Sequence, residues 1–367
     1  MCLGIVAAAC TPDLRLGRNA APPEVETWIV SRDPRVASAV HAPTAPALAL
    51  RASGSATDPE VPPLAHTRIT ATVVGPITTI ERTKAYVTPH AHAEAFVSFT
   101  PPGAPARQDY LVRLPRRTVV ILVRDPAEAR DLAHTAPHAT LLDAGADGRV
   151  TVPAGTIAST SAELTVETTG LVPWRDGAYE LTVPRVPEGD VTLAVDAYGP
   201  GPIVVVNSPS HAIDATPDSV EHLRVAVREP ATLRDDDFVL RYRVDPADRP
   251  GAIVVESDGA EQVVALLVHP LETGHEPVAA SDVTVDWNGA PVTDVRPAEI
   301  GRMTAGTPLV VLARARGAVS GPIVVRARVG RETRTITLEP SDVAPATGFH
   351  ALASLWARSR GVVASTR

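Results

Sequence analysis

Apolar and polar residues alternate over short runs along most of the chain, a pattern typical of strands that bury one face. The first regular runs cover residues 69–75, 79–87 and 94–99, with turns containing proline between them. Residues 116–123 are apolar at both odd and even positions, which predicts a central strand. Similar runs continue almost to the end of the chain, so the sequence predicts a mainly β fold of the antiparallel sandwich type.

Two helices are predicted among these strands. Asp125 is a favourable N-cap and Pro126 is tolerated at the first helical position, so we expect a helix over 126–135 that ends before Pro137. The apolar residues of 341–367 recur near helical spacing, which predicts a C-terminal helix.

Composition narrows the possible functions. The chain has 36 prolines and 24 glycines, and only 4% of its residues are aromatic, so turns are frequent and the core consists mainly of Val, Leu, Ile and Ala. The net charge of -8 arises from interspersed acidic and basic residues. No basic cluster could neutralise several phosphates, so nucleic acid is not an expected partner. Cys2 and Cys10 are the only cysteines, which excludes a disulfide framework for the folded body.

The first residues are similar to a bacterial lipoprotein signal. An apolar run over 3–9 ends at Cys10, where such signals carry the cysteine that receives the lipid. A basic segment is missing, and Ala7 stands where Leu or Val is usual. We therefore interpret 1–18 as a possible truncated signal with Cys10 as the lipidation candidate; the alternative is a frayed apolar terminus.

Residues 19–63 are rich in Ala, Pro and Ser. This composition is typical of a mostly extended linker. The apolar runs at 28–30 and 48–51 could each add a short edge strand.

Several short motifs then follow one another in a recognisable order. They are a His-Thr pair before a strand and a glycine turn in 64–77, the segment AYVTP at 85–89 and the segment EAFVSFTPP at 94–102. Together they resemble the VIT domain, the β-rich module of inter-alpha-trypsin inhibitor heavy chains and vault-associated proteins. The resemblance covers 64–190 and implies a β-sandwich with one internal helix. The residues that match its signature outright are Glu94, Ala95, Phe99 and Pro102, while Thr100 replaces the usual proline.

The resemblance continues beyond residue 190. Segments 208–213 and 234–244 are similar to the β-rich connector that follows VIT in this family, and the chain after residue 283 is similar to the tail of bacterial relatives. The von Willebrand A module that usually lies between them, with its cation-binding D-x-S-x-S loop, is missing from this sequence. We expect connector and tail to form one second β-rich domain over 191–340, because each has too few strands to close a core alone.

Possible catalytic residues are few. Ser208 and Ser210 stand beside His211, but no G-x-S-x-G elbow surrounds them, so hydroxyls in a turn are the favoured interpretation. The acidic run 235–237 would bind calcium only if other oxygens converged on it, and a polar turn before a strand is favoured.

The histidines and tryptophans also have simpler interpretations than a ligand site. His90 and His92 are expected to be solvated surface residues. The group His269, His275 and Glu276 lacks the spacing of a zinc protease. Tryptophans that we expect to pack in cores or between domains are Trp174, Trp287 and Trp356.

These observations predict no catalytic, cofactor-binding or metal-binding residue. The favoured hypothesis is a non-catalytic protein-interaction or scaffold protein of the cell envelope or periplasm, with Cys10 as its candidate lipid anchor and a protein as its partner. The alternative is a cryptic hydrolase or a metal-dependent adhesion protein whose site is too diffuse to recognise.

Overall fold

The computed structural model shows a mainly β protein. Within the part of the chain that it describes, it contains twenty-seven strands, one α-helix and one 3-10 helix. The described residues are 24–32, 44–88, 92–100, 108–114, 117–124, 126–136, 138–144, 148–157, 161–199, 201–244, 250–258, 261–273, 276–319, 321–339 and the three residues 352, 355 and 356.

The elements follow one another along the chain with short connections. The first half comprises β1 (Glu24–Ser31), β2 (Thr44–Ala52), β3 (Leu64–Val74), β4 (Ile77–Val87), β5 (Ala93–Thr100), β6 (Gln108–Leu114), β7 (Arg117–Arg124), α1 (Pro126–Thr135), β8 (Ala139–Asp143), β9 (Val150–Ile157), β10 (Ser161–Leu171), β11 (Trp174–Arg175) and β12 (Ala178–Val183). The second half comprises β13 (Asp190–Tyr198), β14 (Ile203–Asn207), β15 (Ile213–Pro217), β16 (His222–Val227), the 3-10 helix Pro230–Arg234, β17 (Phe238–Val244), β18 (Gly251–Asp258), β19 (Glu261–Val268), β20 (Glu272–Thr273), β21 (Glu276–Pro277), β22 (Ala280–Asp286), β23 (Val292–Arg296), β24 (Gly301–Met303), β25 (Leu309–Ala315), β26 (Ile323–Val329) and β27 (Glu332–Leu338).

A ten-stranded sheet with the order β15-β16-β13-β3-β4-β10-β6-β7-β1-β8 carries two hydrophobic cores on one face. The first core lies under the three-stranded sheet β2-β5-β9, and the second lies under the four-stranded sheet β11-β12-β17-β14. Both cores consist mainly of Val, Leu, Ile, Ala and Tyr, as the low aromatic content predicts. Strand β4 separates them, because its neighbour β10 contributes to the first core and its neighbour β3 to the second.

Strand β7 and helix α1 confirm two predictions from the sequence. Strand β7 lies between β6 and β1, inside the large sheet, as its uninterrupted apolar run indicates. Helix α1 begins at Pro126 and ends at Thr135. No helix in the described residues is long and apolar enough to cross a membrane.

The segment predicted as a linker contributes two paired strands instead. Strand β1 lies between β7 and β8 and is parallel to both, so the prediction of an edge strand at 28–30 is wrong. Its partners follow it by more than ninety residues, and such distant pairing leaves no local signal in the sequence. Strand β2 is the outer strand of its sheet, in agreement with the edge strand predicted at 48–51.

A third core lies between two further sheets with the orders β18-β19-β25-β23 and β24-β22-β26-β27. The first of these sheets is apolar on both faces. Its outer face forms a fourth core with Val74 and Ile77 at the β3–β4 turn and with Leu352, Leu355 and Trp356. These last three are the only described residues of the predicted C-terminal helix 341–367, and they are helical.

The prediction of one second domain over 191–340 does not agree with the strand pairing. Strand β13 pairs in parallel with β3, and β17 pairs with β12, so the connector completes the second core. Only β18 to β27 build the third core. The physical reason is that β13 pairs with β3 and so extends the ten-stranded sheet. The apolar side chains of β13 thereby join the second core, which the sheet containing β17 covers. Segment 1–18, with Cys10, lies outside the described residues.

Candidate functional site

Two sets of residues singled out in the sequence meet at one surface groove. The groove is open to solvent, has a volume of about 590 Å³ and is lined by Arg185, Pro209, Ser210 and the acidic run 235–237. The 3-10 helix before β17 brings the acidic run to this position, and the loop between β14 and β15 brings the serines.

The serine loop is anchored by its own hydrogen bonds. The Oγ of Ser210 accepts the backbone N–H of Val239 at 2.8 Å and lies 2.7 Å from Nδ1 of His211, while the Oγ of Ser208 accepts the N–H of His211 at 3.1 Å. The ring of His211 is buried near Phe238, and its Nε2 has no hydrogen-bond partner among the described residues. A Ser–His catalytic pair needs an orienting group at that second nitrogen. The contacts are those of a turn, as the sequence indicated.

The acidic run also makes structural contacts. The Oδ1 of Asp237 accepts the backbone N–H of Arg185 at 2.9 Å, and the carbonyl oxygen of Asp235 accepts from the Arg185 guanidinium at 3.0 Å. Within the described ranges no group of three His, Cys, Asp or Glu side chains could hold a metal ion.

Among the described residues, His269 belongs to no group of possible metal ligands. It is only 5% exposed, its Nδ1 lies 3.4 Å from the hydroxyl of Tyr179, and burial lowers the pKa of His269 to about 4. Glu276 is exposed on β21 and His92 is exposed before β5, while His90 and His275 lie outside the described residues.

The tryptophans pack as predicted. Trp174 packs edge-on against Tyr179 with ring centroids 4.7 Å apart, beside the second core. Trp287 borders the third core and Trp356 is buried in the fourth.

Two cationic side chains at the boundary between the first and second cores escaped the sequence analysis. Arg82 and Lys84 lie on the core-facing side of β4; their cross-strand neighbours Val166 and Leu164 belong to the first core, and Ile69 belongs to the second. The Nζ of Lys84 donates to the carbonyl oxygen of Pro46 at 3.3 Å, and Nη2 of Arg82 lies 3.5 Å from the carbonyl oxygen of Pro184. We call Arg82 and Lys84 the cationic boundary pair.

A second surface combines exposed apolar side chains with strand edges. Strand β14 is outermost in its sheet and β15 is outermost in the ten-stranded sheet. Val204 on β14 is 52% exposed and Val220, in the turn between β15 and β16, is 72% exposed. A groove of about 380 Å³ at Val220 is lined by Pro202, Ile203, Pro217 and Leu223, among others. We call this the β14–β15 surface.

Charged groups hold the β15–β16 hairpin in place beside this surface. His222 stacks on Tyr198 with ring centroids 4.2 Å apart. Its Nε2 lies 3.2 Å from a carboxylate oxygen of Asp196, and its Nδ1 lies 3.3 Å from one of Asp218. Arg224 contacts the same two carboxylates. Burial, followed by the charge of Asp196, raises the pKa of Tyr198. The network fixes the turn that exposes Val220.

Comparison with known protein families and with curated proteins gives no match. Among solved structures, the chain aligns with the Fcho1 Mu homology domain of Danio rerio with bound Eps15 peptide, at 10% identity over 76% of this chain and 95% of that one, with a TM-score of 0.17. It also aligns with an FMN-binding beta-glucuronidase from Facaelibacterium prausnitzii L2-6, at 12% identity over 81% of this chain and 39% of that one, with a TM-score of 0.16. At these TM-scores neither alignment carries an argument about fold or function.

Proposed function

We propose that the chain is a non-catalytic protein-interaction or scaffold protein of the cell envelope, built on a VIT-like domain over 64–190. The order of the family-like motifs in that range supports the VIT assignment, and helix α1 lies where the resemblance expects it. Cys10 is the proposed lipid anchor, and the proposed partner is a protein.

The observation that carries the interaction role is the β14–β15 surface. Val220, which is 72% exposed, borders the apolar groove, and Val204 on the neighbouring strand β14 is 52% exposed, so both leave apolar area in water that a partner would cover. Strands at sheet edges offer unpaired backbone groups to which an extended segment can add. This combination of apolar side chains and strand edges suits a protein ligand.

Site-specific photocrosslinking tests the proposal. A crosslinking residue replaces Val220 in the full-length protein, and the matched control carries it at Val87, which is 54% exposed at the end of β4. In envelope extracts of the source organism, position 220 should capture one defined protein that position 87 does not.

The captured protein is then purified for direct binding. We expect Val220→Asp to weaken binding at least about tenfold, because a charge would be desolvated, while Val87→Asp binds as the native protein does. Equal crosslinking at both positions, or unchanged binding by Val220→Asp, would contradict the assignment of the surface.

The 2.7 Å contact between Ser210 Oγ and Nδ1 of His211 favours a second candidate, a cryptic hydrolase. A fluorophosphonate probe that labels Ser210, with loss of label in Ser210→Ala, would support this alternative. The proposal of a non-catalytic protein expects no labelling at Ser210.

A further inference from the structure

Lys84 is the single lysine of the chain, among 34 Lys and Arg residues in total. It is therefore the only ε-amine that the protein can offer. Unlike arginine, a lysine becomes a nucleophile once it loses its proton, so the surroundings of this one residue determine whether the side chains of the chain can perform amine chemistry.

Strand pairing places Lys84 in a largely apolar setting. Its cross-strand neighbours, Thr67 on β3 and Leu164 on β10, are both fully buried. Lys84 as a residue is half-buried, so it is not fully sealed from solvent. The amine donates to the carbonyl oxygen of Pro46 at 3.3 Å, and a neutral amine can keep this hydrogen bond while its lone pair stays free.

The electrostatic surroundings disfavour the ammonium form. Burial, followed by the positive charge of Arg82, lowers the pKa of Lys84 from 10.5 to about 8. Among the described residues, no carboxylate is a cause of the shift that would stabilise its charge. At pH 7.5 about a quarter of Lys84 is then the free amine, against roughly 0.1% of an ordinary lysine.

We propose that Lys84 is a covalent binding site for small carbonyl compounds that carry an anionic group, such as 2-oxo acids and aldehyde acids. The free amine adds to the carbonyl carbon, and the carbinolamine loses water to give an imine. The carbonyl oxygen leaves in that water together with the two amine protons, and no oxidant or reductant is consumed.

Two features of the boundary pair suit this class of ligand. Burial and the charge of Arg82 disfavour a positive charge on the Lys84 nitrogen. Because the imine is neutral, the site favours the adduct over the ammonium form. The Arg82 guanidinium, on the same face of β4, can then attract a carboxylate at the other end of the ligand. A neutral aldehyde would gain only the first of these effects.

Reductive trapping tests the proposal directly. The full-length protein is incubated with glyoxylate and cyanoborohydride between pH 6 and 10, and peptide mapping by mass spectrometry follows the carboxymethyl group at Lys84. The lysine of a free peptide with the same local sequence, added to the same reaction, is the internal standard. We expect half-maximal labelling of Lys84 near pH 8, and a rate at pH 7.5 at least about tenfold above that of the lysine in a free peptide of the same local sequence.

Matched variants separate the contributions. Lys84→Arg keeps the charge and should lose the label while its circular dichroism and melting temperature stay native. Arg82→Gln should shift the labelling profile to higher pH and abolish the preference for glyoxylate over acetaldehyde. Arg68→Gln, an exposed arginine on the adjacent strand, should change neither. An unlabelled Lys84 under conditions that label the free peptide, or labelling at the rate of the free peptide, would overturn the proposal.

Discussion

Acidification should weaken this protein through one buried side chain, His269. The residue follows β19 and packs against Tyr179 of β12, so it joins the sheets around the third core to those around the second. Its Nε2 has no hydrogen-bond partner among the described residues. A second contact across the same junction is the ion pair between Arg243 and Glu272 at 3.7 Å. Protonation of His269 would place an unpaired charge at this junction.

The direction and size of the effect follow from proton linkage. The pKa of His269 is about 4 in the folded protein, against 6.5 for the free side chain. Between these values the unfolded chain binds more protons than the folded one, so stability is constant above about pH 6.5 and declines as the pH falls to about 4. Each pKa unit corresponds to roughly 1.4 kcal/mol, which gives a total loss of about 3 kcal/mol from this residue.

Urea denaturation at half-unit steps between pH 7.5 and 4 measures this loss. Other groups titrate in the same range, so the informative quantity is the difference between the native protein and His269→Gln at each pH. We expect this difference to be flat above pH 6.5 and to change by roughly 1.4 kcal/mol per unit below it. His92→Gln, at an exposed position, should retain the native pH dependence. If His269→Gln and the native protein lose stability in parallel, His269 is not the acid-sensitive group.

Three further predictions concern packing and metal binding. Tyr242→Phe removes a buried hydroxyl that donates to the carbonyl oxygen of Gly75 at 2.5 Å. The free energy of unfolding, measured in urea, should fall by about 1–3 kcal/mol, and an unchanged value would contradict the importance of this hydrogen bond. Trp356→Ala empties part of the fourth core and should lower the free energy of unfolding by about 3–5 kcal/mol. Trp287 is only half-buried, so Trp287→Ala should lower it by less, and an equal loss for the two variants would contradict this difference in burial. Magnesium should not bind with micromolar affinity, because the carboxylate of Asp237 and the carbonyl oxygen of Asp235 already accept hydrogen bonds from Arg185. A stoichiometric magnesium site in calorimetry would contradict this, and so would loss of partner binding when a chelator is added.

Local features of the fold were predictable because their signals are local. Helix α1 has its favourable first residues in the sequence, and the turn between β26 and β27 has Gly330 with a φ of +61°, which glycine adopts without strain. Strand β19, whose run VVALLV is apolar at every position, contributes to the third core on one face and to the fourth on the other. Each of these properties depends on a few adjacent residues.

Pairing between distant segments was not predictable in the same way. Strand β1 enters between β7 and β8, and β13 joins β3 across more than a hundred residues. In both cases the local pattern shows only that the strand has one apolar face. Many strands of similar length could pair with it, and the partner is determined only when the whole sheet assembles. The sequence therefore indicates these strands but not the partners they take.

The cationic boundary pair has a signal in the sequence of β4 itself. Strand β4 reads ITTIERTKAYV, and on the face that carries Ile80 and Tyr86 the alternation of apolar residues is interrupted by Arg82 and Lys84. A strand that served one core would place apolar residues at those two positions. Here the face changes from the second core at Ile80 to the first core at Tyr86, and the cations occupy the interval between the two covering sheets. A polar interruption within an otherwise amphipathic strand therefore marks the boundary between two cores on one sheet. At the same boundary the only lysine of the chain has no carboxylate partner among the described residues, which is the condition for its proposed amine chemistry.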